Sequence, residues 1–211
     1  MPPSDWVRRH AARSPEAPWL FWPRGGWDWA WLSWAEGLQR LASPFAAGEL
    51  APHEAFLRSL AQAGEEPSPP GFFSIAEREV VVAHRSWDDP DGRRLLTWAV
   101  ATGAAILFDP FPASYVATAA WVRPTLFQGT AAEITALRRA AEAYRPPWPR
   151  RRGRGLPFGR LHTVWAIGAS ELEEGERIQW MDRGVRVVTA TASRRERDLG
   201  DPRPPAPPPS A

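Results

Sequence analysis

Three short stretches hold the residue types from which a ligand site is built: SWDDPDG at 86–92, FQGT at 127–130 and AIGAS at 166–170. In AIGAS, the small residues Gly168, Ala169 and Ser170 follow an apolar run and precede a helical one. A backbone of that kind can approach a phosphate or a flat ring while a helix start points at it. The plainer reading of the same residues is a tight strand-to-helix turn in which Gly168 and Ala169 permit packing. Asp88, Asp89 and Asp91 have the charge to bind a cation, but they lack the spacing of an EF-hand loop and suit turn chemistry. His10, His53, His84 and His162 are scattered, without i, i+4 pairing or a cysteine partner. Neither a metal nor a cofactor is therefore expected. No G-x-S-x-G, Walker A or G-x-G-x-x-G motif occurs, so no catalytic residue is assigned.

Composition narrows the chemistry further. All 26 Lys+Arg residues are Arg, and Lys, Asn and Cys are missing. Without Lys there is no Schiff-base amine, no P-loop cation and no lysine clamp for an adenylate. Without Cys there are no disulfides, thiol nucleophiles or thiolate metal sites. A net charge of +2 gives no bulk attraction to nucleic acid, so none is expected as a partner. The opening MPPSDWVRRHAARSPEAPW lacks the apolar core of a signal peptide. LLTWAVATGAAILF at 95–108 falls short of the roughly 20 residues that cross a bilayer, so a cytoplasmic location with no membrane span is expected.

The elements that must position these stretches are written in the pattern. WLFWPRGGWDWAWLSWAEGLQRLA at 19–42 predicts a hairpin turning at Gly25 and Gly26, then a helix opened by Ser33 and Glu36 at capping-box spacing. HEAFLRSLAQAG is a further helix, and EEPSPPG ends it. After it, REVVVAH, AAILFD and TLFQG read as buried strands, alternating with the helices RRLLTWAVATG, ASYVATAAWVRP and TAAEITALRRAAEAY. FGRLHTVWAIGASELEEGERIQWMDRGVRVV adds strand, turn, helix and strand. The alternation predicts an α/β fold with a mainly parallel sheet and helices on both faces. At 44% hydrophobic, residues 1–195 can form a single α/β domain, with 196–211 a disordered Pro-rich tail. The Arg-rich segment 145–160 has the charge to hold phosphates, although its Pro and Gly content also suits a solvated connection.

The order of these pieces resembles the large N-terminal domain of the acyl-adenylate-forming (AMP-binding) enzymes. That family comprises acyl-CoA synthetases, luciferase-like ligases and peptide-synthetase adenylation domains. HAARSPEAPWLFWPRGGWDWAWLSWAEGLQRLA is similar to its opening, with SWAEGL at the helix start. EVVVAHRSWDDPDGRRLLTWAVATGAAILFD looks like the strand, gating loop and helix that follow its phosphate loop. WVRPTLFQGTAAEITAL and FGRLHTVWAIGASELEEG resemble two later segments, and the likeness covers most of residues 8–193.

Against the family pattern, the Gly/Ser/Thr-rich loop ending in Lys should stand just before REVVVAH, where the chain reads EEPSPPGFFSIAE. The Tyr-Gly-x-Thr-Glu motif should fall at 191–195, where Thr191, Ala192, Ser193, Arg194 and Arg195 stand instead. Phosphoryl chemistry depends on such placed charges. The resemblance therefore implies a truncated, degenerate domain, a non-catalytic or accessory protein beside fatty-acid or acyl carrier protein metabolism. Its partners would be an acyl carrier protein or a complete acyl ligase, and its ligand an acyl group. The alternative is a residual acyl-CoA or acyl-adenylate ligase or hydrolase, of the AMP-forming acid–thiol class, that needs a partner. In either case the resemblance implies a cleft at the carboxyl ends of the parallel strands, lined by Asp89, Gly92, Gln128, Gly129, Thr130, Gly168, Ala169 and Ser170. The stretch before REVVVAH is also much shorter than in the family, as though a strand-helix unit had been deleted with the loop, and a cleft closed by that deletion is the competing outcome.

Overall fold

The computed structural model describes residues 1–25, 28–45, 50–64, 79–83, 90–108, 124–143, 160–167 and 172–189. The helix expected from ASYVATAAWVRP, the Arg-rich segment 145–159 and the tail lie outside them. Six helices and seven strands are present among the described residues.

The strands form one sheet in the order β2-β1-β4-β3-β5-β6-β7. β1 (Pro18–Gly25) and β2 (Asp28–Ser33) are the expected antiparallel hairpin, with Phe21 opposite Trp31. β1 then joins β4 (Ala105–Phe108) in parallel. β3 (Val80–Ala83), β5 (Leu126–Thr130), β6 (Thr163–Ile167) and β7 (Arg186–Thr189) continue the parallel array. The central strands are short and apolar throughout because both of their faces are covered.

Strand residues alternate between two cores, as the pleat requires. Val81, Ala83, Ile106, Phe108, Leu126, Trp165 and Ile167 meet α1 (Pro3–Arg13), α2 (Trp34–Leu41), α3 (Pro52–Gln62) and α4 (Pro90–Thr102). Val82, Leu107, Phe127, Val164 and Ala166 meet α5 (Ala131–Ala143) and α6 (Glu174–Met181) on the other face.

Two helices start on capping boxes, the first where Ser33 and Glu36 were read. Ser33 Oγ accepts from Glu36 N at 3.2 Å, and Ser33 N donates to Glu36 Oε2 at 2.8 Å. Thr130 and Glu133 repeat the pair at 3.3 and 2.8 Å. α4 stops at Gly103, whose φ of 83° is the left-handed conformation that a side chain resists. α1 has no counterpart in the sequence reading. Its Trp6, Val7, His10 and Ala11 bury one face, and Pro3 sits in its first turn, where a missing N–H costs nothing.

Candidate functional site

The direction of the chain changes at the centre of the sheet. β3 leads through α4 to β4 on one side, whereas β5 leads through α5 to β6 on the other. β3 and β5 are neighbours, so the connections that leave them diverge to opposite sides of the sheet. Such switch points are where open α/β sheets take ligands.

Gln128 stands at that point. It is in register with Ala83 of β3 on one side and Trp165 of β6 on the other. Two residues after Leu126, it projects to the face covered by α1 to α4, the face of Ala83, Phe108 and Trp165. The residue is 0% exposed, yet neither its Nε2 nor its Oε1 has a hydrogen-bond partner. Leaving a buried amide unpaired costs about 1–3 kcal/mol. A packing role would favour Leu or Met in that place, so the amide calls for a polar group that is not part of the strand.

The two residues beside Gln128 have structural explanations. Gly129 is buried, and a Cβ there would lie 2.9 Å from Glu133 Oε2 and from Phe127 Cε1. Its small size admits the Glu133 carboxylate that reaches back to Thr130 N. Thr130 is exposed and caps α5 through Oγ1. Thr130 also pairs with Ile167, the last residue of β6, which places the carboxyl ends of β5 and β6 side by side. Gly92 is buried in the first turn of α4, the helix that follows β3 in the chain. Asp89, Gly168, Ala169 and Ser170 lie outside the described residues. Of the eight cleft candidates, Gln128, Gly129 and Thr130 are thus consecutive on β5 at the switch point.

The described histidines stand elsewhere. His10 is buried, with Nε2 3.4 Å from Ala101 O and its ring 4.7 Å from that of Trp34. His53 stacks on Trp22 at 3.8 Å and 10°, and its burial holds its pKa below the usual imidazole range. His162 meets Glu79 at 3.2 Å, at the amino ends of β3 and β6, across the sheet from the switch point. No group of three His, Cys, Asp or Glu suited to a metal ion occurs among the described residues. No helix among them is long and apolar enough to cross a membrane.

No protein-family model matches the chain, and no curated protein matches it. Among solved structures, the crystal structure of CmiS6 is similar with a TM-score of 0.58 at 12% identity, over 89% of this chain and 70% of that one. The likeness is one of fold. Two adenylation domains align more loosely. One is the A domain of the carboxylic acid reductase from Segniliparus rugosus, in complex with AMP and a co-purified carboxylic acid, with a TM-score of 0.40, 11% identity, and coverage of 99% of this chain and 32% of that one. The other, from the carboxylate reductase of Mycobacterium chelonae, has a TM-score of 0.41, 12% identity, and coverage of 100% and 30%. The chain therefore spans less than a third of either reductase chain.

Proposed function

We propose that this protein is a non-catalytic, accessory relative of the acyl-adenylate-forming enzymes that holds a neutral acyl group at the switch point between β3 and β5. The observation that carries the proposal is the buried, unpartnered amide of Gln128. A primary amide offers donors and an acceptor but no charge. It complements the carbonyl of a thioester, ester or amide, which can enter an apolar crevice at little desolvation cost. A carboxylate would bring a charge that needs a cation, and the stretch that follows β3 in sequence, SWDDPDG, carries three Asp.

The sequence supports the non-catalytic half of the proposal. It has no Lys, and neither the aromatic nor the acid of the family's Tyr-Gly-x-Thr-Glu motif stands at 191–195. Transfer of a nucleotide's phosphate needs such charges fixed in place. We place the protein in the cytoplasm, where an acyl carrier protein or a complete acyl ligase would present or accept the acyl group.

Calorimetric titration of the full chain with three probes tests this reading. S-octanoyl-N-acetylcysteamine, a neutral thioester, is expected to bind saturably, octanoate more weakly, and Mg-ATP with a dissociation constant well above micromolar, that is, more weakly than about −8 kcal/mol. Micromolar ATP binding, or preference for octanoate, would overturn it.

A further inference from the structure

An open pocket lies away from β5. The last turns of α3 and the first two turns of α4 border a half-open pocket of about 400 Å³. Its floor is Leu60, and its polar lining is Ser59 and Gln62 from α3 with Arg93, Arg94 and Thr97 from α4. Among the described residues, the charged side chains that line it are both guanidinium cations.

The hydroxyl groups are already oriented. Ser59 Oγ donates to Phe56 O at 2.7 Å and Thr97 Oγ1 donates to Arg93 O at 2.9 Å. With their protons committed to their own helices, both oxygens are left as acceptors. The Gln62 amide adds a donor and an acceptor. Arg93 has no carboxylate partner among the described residues. It sits in the first turn of α4, where the helix dipole adds positive potential. Two cations with two hydroxyls and an amide around one pocket suit a ligand with an anionic group and several hydroxyls.

We infer that this cavity binds a small phosphate monoester that carries hydroxyl groups, with Arg93 and Arg94 on the phosphate and Ser59, Gln62 and Thr97 on the hydroxyls. Guanidinium groups match phosphate in geometry as well as charge, because two N–H bonds can meet two oxygens at once. The volume falls within the usual range for a small-molecule site. This site is independent of the acyl crevice, and either can fail without the other.

The alternative is structural. α3 has no basic residue in its last turn, so Arg93 and Arg94 would serve only to offset the negative end of its dipole. Two variants separate the cases, with glucose 6-phosphate, inorganic phosphate and glucose as probes in calorimetric titrations of the full chain. Glucose 6-phosphate is expected to bind saturably, inorganic phosphate at least tenfold more weakly, and glucose not at all. R93Q should weaken glucose 6-phosphate about tenfold, about 1.4 kcal/mol, with its melting temperature unchanged. T97V should weaken glucose 6-phosphate and leave inorganic phosphate as it was. The inference is overturned if glucose 6-phosphate shows no saturation up to about 10 mM, roughly −3 kcal/mol. It is also overturned if R93Q lowers the melting temperature while leaving affinity intact, or if glucose binds as well as its phosphate.

Discussion

Alanine in place of Gly37 is expected to destabilise the protein by about 3 kcal/mol. On an isolated helix the same change is favourable, by about 1 kcal/mol, because alanine has the higher helix propensity. Here a Cβ on Gly37 would come within 2.5 Å of Trp19 Cε3 and closer still to Cζ3. The ring cannot move aside easily. Trp19 is 0% exposed and stacks on Trp34 at 4.4 Å and 11°, and Trp34 in turn meets the His10 ring at 4.7 Å. One methyl group therefore displaces the layer that joins β1 to α1 and α2, and overpacking outweighs propensity. Urea unfolding of G37A measures the loss. A variant as stable as the parent would mean that the Trp19–Trp34 stack is loose.

Removing Arg138 is expected to cost at least as much, about 3–4 kcal/mol. Its Nε and Nη2 donate to the two carboxylate oxygens of Glu176 at 2.6 and 2.9 Å, a bidentate pair. Nη1 donates to both oxygens of Glu142 at 2.8 Å, and Arg183 also donates to Glu142. The hydrogen bond to Glu176 raises the Arg138 pKa further above its already high value, so the guanidinium stays charged. The side chain of Glu176 is only 8% exposed, and it ties α6 to α5. R138A would strand that carboxylate in an apolar setting, and the main cost is its desolvation. The double variant R138M/E176L should recover most of the loss, since a packed apolar pair removes the stranded charge. If R138A melts like the parent, or the double variant is no better than the single one, the pair contributes little.

The sequence showed most clearly what depends on neighbours in the chain. Ser33 with Glu36 and Thr130 with Glu133 announce helix starts because a capping box is closed within a single turn. REVVVAH, AAILFD and TLFQG announced parallel strands because burial on both faces removes the polar alternation. α1 was missed although Trp6, Val7, His10 and Ala11 repeat at helical spacing. Its arginines hide the stripe, which shows only once α2 and α4 cover it. Long-range chemistry was less legible. Gly129 reads as a place for a ligand to approach, yet its space is taken by Glu133 and Phe127. Gln128 was legible as a strand-end residue, but its two unpaired atoms depend on the register with Ala83 and Trp165. The Arg138–Glu176 pair joins residues far apart in sequence, and no local pattern marks it.

The account rests on the amide of Gln128 being kept for a ligand at the expense of the fold. Gln128→Leu tests this with two readouts on one sample, the melting temperature and the titration with S-octanoyl-N-acetylcysteamine. Leucine keeps the approximate size and removes the unsatisfied polar atoms, so stability should rise by about 1 kcal/mol, or about 3 °C for a chain of this length. Binding of the thioester should fall at least tenfold, because the carbonyl loses its donor. A variant that melts higher and no longer binds is the predicted result; one that melts lower, or binds the thioester as the parent does, would contradict the account.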